Sequence, residues 1–190
     1  MTEVSARFAA RREDWRRHVV DLQTRTYEGA SAQAEREAIF EEAFRLTTPV
    51  AVRVLESLST AFLGGAGSVT VTSPRRAAPE ELEGATRTPI GGLLGSWSLT
   101  WPALERARSR LTGEAMPSVE IFAMFPNDFT HAHLALFSLH EPRTWIACWP
   151  FQVATPADAE RQEDTLAAIA EADLHDRTFA GDLNWRLLEV

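Results

Sequence analysis

The chain has 190 residues, of which 45% are hydrophobic and 24% charged, and its formal net charge is −8. That length and apolar content suit one domain (1–190) with its own core and exclude wholesale disorder. The acidic balance argues against a nucleic-acid or anionic-membrane surface, because both require a clustered positive field.

In the first 27 residues, Val4, Phe8, Trp15, Val19 and Leu22 recur at steps of three, four or seven and predict one apolar helical stripe. Arg7, Arg11, Arg12, Arg16 and Arg17 flank it and read as a solvated helix flank, neutralised by Glu35, Glu37, Glu41 and Glu42 of the next helix. Gly29 to Ser31 supplies a turn and N-cap, and Ile39, Phe40, Ala43, Phe44 and Leu46 form the second apolar face. Thr47-Thr48-Pro49 then predicts a break, since proline inside a helix costs about 3 kcal/mol but is harmless at the first helical position. A third helix carries Val50, Val54, Leu55, Leu58 and Phe62 and stops at Gly64-Gly65.

The period changes at Ser68–Ser73, which alternates as a strand and is predicted to end at Pro74. Residues 75–92 read as a long loop, 93–101 as a strand and 102–111 as a short helix. Three strands follow, at 118–125, 130–140 and 144–153, with turn chemistry at Pro126-Asn127-Asp128 and Glu141-Pro142-Arg143, so a meander is expected. Thr155-Pro156-Ala157-Asp158 starts a last helix as an N-cap, and residues 183–189 read as a closing strand. The expected fold is α+β: an N-terminal layer of three helices (1–65) on a curved, mainly antiparallel sheet of about six strands (66–190), with a C-terminal helix.

Chemistry is confined to one stretch. No phosphate loop, dinucleotide fingerprint, nucleophile elbow or zinc-knuckle spacing occurs. Lysine is absent, which removes Schiff-base mechanisms, and the single cysteine excludes an internal disulfide and fits a reducing cytoplasm. No apolar run approaches the roughly 18 residues of a membrane span. A tight turn at Asn127-Asp128 would pair Met124 with His131, Phe122 with His133 and Glu120 with Ala135. Opposed residues share a face, so Val119, Ile121, Ala123 and Phe125 join Ala132, Leu134 and Leu136 in the core. The opposite face carries His131, His133 and Glu120 in a wall of Phe122, Met124, Phe137 and Cys148. Strand parity sends His140 to the other face, and His18 reads as solvated among arginines.

Three readings of that face are open. In the first, it binds a small apolar or aromatic molecule, with His131, His133 and Glu120 as acid–base groups. In the second, His131 and His133 hold zinc or iron for hydrolase or lyase chemistry, with Glu120, His175 or Asp176 completing the site. The third makes the chain a non-catalytic assembly protein that buries its strands against another subunit or a second copy. Against all three stands a purely structural role, with His131 bonded to Asp128 and the tryptophans filling a core.

Overall fold

The computed structural model describes residues 3–82, 91–108, 113–137, 145–179 and 188. Its N-terminal layer holds two helices, α1 (Glu3–Thr24) and α2 (Gln33–Leu63), rather than three. α2 runs straight through Pro49, which forfeits one i→i−4 bond. The phase of the apolar stripe explains why: Phe40, Phe44, Thr47, Ala51, Val54 and Leu58 follow one another at steps of four and three across the proline, and all are buried. A large apolar side chain buried on that face contributes about 1.5–3 kcal/mol, so a few of them outweigh the lost bond. The helix starts from Ala32 without a side-chain cap and stops at Gly64, whose φ of 56° is the left-handed conformation glycine tolerates.

The sheet has five strands among the described residues: β1 (Ser68–Ala77), β2 (Gly92–Thr100), β3 (Val119–Pro126), β4 (His133–Phe137) and β5 (Trp145–Pro150). They are antiparallel in chain order β1-β2-β3-β4-β5, as a meander requires. β1 does not end at Pro74; its pairing with β2 shifts between Thr72 and Arg75 and resumes to Ala77. As an edge strand it absorbs the missing N–H of proline in that irregularity. Trp185, His140 and all of the predicted closing strand except Leu188 lie outside the described residues.

The helices α3 (Pro102–Arg106), α4 (Pro156–Arg161) and α5 (Glu163–Phe179) complete the fold, so the C-terminal helical segment is broken at Gln162. Thr155 caps α4 as its sequence indicates: its hydroxyl accepts from the Asp158 N–H at 3.2 Å while the Asp158 carboxylate accepts from the Thr155 N–H at 2.9 Å. α2 and α5 cover one face of the sheet, where Phe44, Leu55, Trp97, Ile121, Phe125, Leu134, Phe151 and Ile169 form the main core. On the other face Ala77, Leu82, Leu94, Phe122, Met124, Ala135 and Phe137 make a second, smaller cluster.

The register of β3 on β4 differs from the tight-turn expectation. Met124 lies opposite His133 and Phe122 opposite Ala135, a slip of two residues. β3 outruns β4, with the Asn127 N–H donating to the Gly91 carbonyl at 2.9 Å beside β2. Residues 127–132 therefore form a longer connection that includes His131. A slip of two preserves parity, so every face assignment survives while the pairs change.

Candidate functional site

His133 opens β4 and His131 lies near the end of the connection before it, with Ala132 between them turned into the main core. The alternation of an extended chain puts both imidazoles on the other side. Their Nε2 atoms stand 3.1 Å apart. His131 Nδ1 lies 3.0 Å from the Thr130 hydroxyl, and the Phe129 ring packs edge-on to His133 at 5.4 Å between centroids. The bonds of the His131 ring thus go to Thr130 and His133 rather than to Asp128.

The third ring is His18 of α1, not His175 or Asp176 of α5. Its centroid lies 4.2 Å from that of His131 and 6.0 Å from that of His133, both edge-on. One ligand nitrogen from each of His18, His131 and His133 falls within 4.8 Å of the others. His131 and His133 are buried and His18 is half-buried. The Nδ1 atom of His18 is enclosed and has no hydrogen-bond partner among the described residues. A buried polar atom in that state is costly unless something binds it.

Burial is the main influence on the protonation of all three. It pushes His133 down to about 3, helped by the neighbouring His131 and His18, and His131 down to about 4, helped by His18 and opposed by Asp21. His18 is lowered too, again by burial and against the pull of Asp21. At neutral pH the cluster is a set of uncharged imidazoles with one buried carboxylate, Asp21, acting on two of them.

Why α1 delivers His18 inward follows from an inversion of its sides. Asp14, Arg17, His18 and Asp21, at steps of three, one and three, form its half-buried or buried face. Trp15, Val19, Val20 and Leu22 are instead exposed, Trp15 by 66%. The described part of the stripe expected to face the core, Trp15, Val19 and Leu22, therefore faces solvent, and the polar stripe faces the protein. Arg17 pairs with Glu28 at 2.5 Å and Asp158 at 3.2 Å, and Arg161 of α4 reaches Asp14 at 3.3 Å. Asp21 accepts from the Gln152 amide at 2.6 Å.

Glu120 is not part of this cluster. It lies four residues along β3 from Met124, the partner of His133, which is about 13 Å at strand rise. Its N–H donates to Asp173 of α5 at 2.6 Å, at the opposite end of the strand. Phe122, Met124 and Phe137 do share a face, but they pack together with Leu82, the Phe122 and Phe137 rings T-shaped at 5.1 Å. Cys148, opposite Ala135 on β5, is exposed. The expected ligand wall is thus a small packed cluster beside the histidines. His18 is the residue that sequence reasoning missed; the ionisable stripe Asp14, Arg17, His18, Asp21 was its only signal. Comparison with protein-family models, curated proteins and solved structures gives no match. Among the described residues no helix is long and apolar enough to cross a membrane.

Proposed function

We propose that the protein binds a divalent transition-metal ion of the zinc class through His18, His131 and His133. The observation that carries this reading is the 3.1 Å separation of the His131 and His133 Nε2 atoms. Two nitrogens at about 2.0–2.1 Å from one tetrahedral zinc stand about 3.3 Å apart, so this pair needs almost no rearrangement. Thr130 supports it: when His131 Nδ1–H donates to the hydroxyl, Nε2 is left as the lone-pair nitrogen, which is how outer partners usually fix a metal-binding tautomer. Coordination through the enclosed Nδ1 of His18 would give that atom the partner it lacks among the described residues.

Ligand type favours zinc over iron. Three imidazoles without a carboxylate suit zinc, whereas open non-haem iron sites pair two histidines with a carboxylate. Three protein ligands also leave a fourth position, the ligand count of hydrolytic zinc sites, and this supports metal-dependent hydrolase or lyase chemistry as the reading's extension. Metal-free acid–base work by the same histidines is less well supported, because bases titrating near 3 and 4 are poorly matched to neutral pH.

The test is calorimetric titration of the untagged chain with zinc chloride, with metal analysis of the purified protein. One equivalent of zinc is expected, and His131→Ala or His133→Ala should weaken binding by at least about 100-fold. A chain that takes up no zinc and gains no thermal stability from it overturns the proposal.

A further inference from the structure

Resting on that reading, we infer that α1 is a latch whose closed position is held by the bound ion through His18. The attachment of α1 to the rest of the protein is unusual. In its described side chains the inward face is Asp14, Arg17, His18 and Asp21, while Trp15, Val19, Val20 and Leu22 point to solvent. Among these described side chains the apolar burial that fastens α2 to the sheet is missing. What remains are the contacts of Arg17 with Glu28 and Asp158, of Asp14 with Arg161, and of Asp21 with Gln152. The ion pairs of Arg17 and Asp14 are partly exposed and contribute little each, which leaves the buried Asp21–Gln152 hydrogen bond as the main tie. Several of the partners of Asp21, namely Thr26 and the N–H groups of Glu28 and Gly29, belong to the segment just after α1 and do not tie the helix to the body.

That following segment has the form of a hinge. Tyr27 is fully buried and its hydroxyl donates to the Phe151 carbonyl at 2.6 Å, which anchors the chain immediately beyond the helix. Between anchor and helix lies Arg25, a non-glycine residue at φ 56°, and Glu28 follows at φ 48°. Left-handed backbone at such residues is uncommon and belongs to tight turns. Over its described side chains α1 is therefore a helix held by a few polar attachments and joined to a fixed point by a sharp turn. Among the described residues His18 is its one contribution to the metal ligands, and the other two come from β4 and the connection that leads into it.

Coordination by His18 converts the affinity of the ion directly into attachment of α1, because the three-ligand site exists only when the helix is docked. Loss of the ion leaves the polar contacts alone, and α1 swings about Arg25 with its solvent-facing apolar stripe free to be buried elsewhere. The ion is thus read out as the position of a helix.

Hydrogen–deuterium exchange of the full chain, in zinc chloride and in EDTA, tests this. At zinc 100-fold above the dissociation constant, exchange across residues 12–24 should slow by up to about 100-fold, with a much smaller change in residues 40–58 of α2. In His18→Ala, and in His18→Asn as a second variant in case the first folds poorly, zinc affinity should drop and the selective slowing of 12–24 should vanish. Zinc uptake by calorimetry without selective protection of α1 overturns the latch and leaves the metal reading standing. His18 variants that bind zinc with undiminished affinity also overturn it, and absence of any zinc uptake removes both.

Discussion

Phe44 of α2 and Trp97 of β2 stack face to face, with ring centroids 4.3 Å apart and planes within 8° of parallel. The stack is fixed from both sides: the Trp97 indole N–H donates to the Thr48 hydroxyl at 3.0 Å, and the backbone of Gly95 approaches Phe44 so closely that an added Cβ would lie 2.6 Å from its ring. Gly95→Ala should therefore force the stack apart and destabilise the protein by about 1–3 kcal/mol, as overpacking of a tight core does. Urea unfolding measures it, and an unchanged midpoint would show that the stack is free to move.

The buried pair Asp173 and Arg177 pins α5 to β3. The Asp173 carboxylate accepts from Arg177 at 2.6 Å and from the Glu120 N–H, and Arg177 also donates to the Pro117 carbonyl at 2.7 Å. Both side chains are at most 3% exposed. Asp173→Asn strands a buried cation and should cost about 3–5 kcal/mol, whereas the double change Asp173→Leu with Arg177→Met should cost clearly less than the two single changes combined. Additive losses in a double-mutant cycle would deny the coupling.

Glu120→Gln is expected to leave zinc affinity within about twofold of the parent, because the register places that side chain about 13 Å from the histidines. A tenfold loss in calorimetry would instead return Glu120 to the site.

Acid should destabilise the metal-free protein earlier than its carboxylates alone would dictate. Unfolded histidine titrates near 6.5, while burial holds His131 near 4 and His133 near 3. Between those limits the unfolded chain binds more protons than the folded one, so stability is full above about pH 6.5 and declines as pH falls toward the folded values. Each histidine contributes up to about 1.4 kcal/mol per pH unit in that window. Urea midpoints in EDTA should fall between pH 7.5 and 5, and less steeply in His133→Gln. Equal midpoints at the two pH values would show that the rings are solvated.

Period-two alternation in residues 119–137 was enough to assign both faces of the sheet, because the apolar positions mark the core side of each strand and the register slips by an even number of residues. The pairs themselves were not legible: turn residues at Asn127 and Asp128 suggest a tight hairpin, but the continued pairing of Asn127 with Gly91 draws the connection out to six residues. Pro49 misled in a similar way, since a local penalty of about 3 kcal/mol was set against a stripe whose phase runs unbroken from Phe40 to Leu58. His131 and His133 stood out by spacing. His18 did not, because a polar helical stripe ordinarily faces water, and the reversal in α1 depends on partners as distant in the chain as Gln152 and Asp158.

The sheet follows chain order, each strand beside its sequence neighbour, so it can grow hairpin by hairpin from contacts that close short loops. The histidine cluster is the opposite case: His18 and His131 are about 110 residues apart, and their meeting closes one of the longest loops in the molecule. The cluster is consequently expected to form late in folding. In a refolding experiment, zinc capture should lag behind the recovery of the tryptophan core and mark the moment when the first segment of the chain returns to the rest.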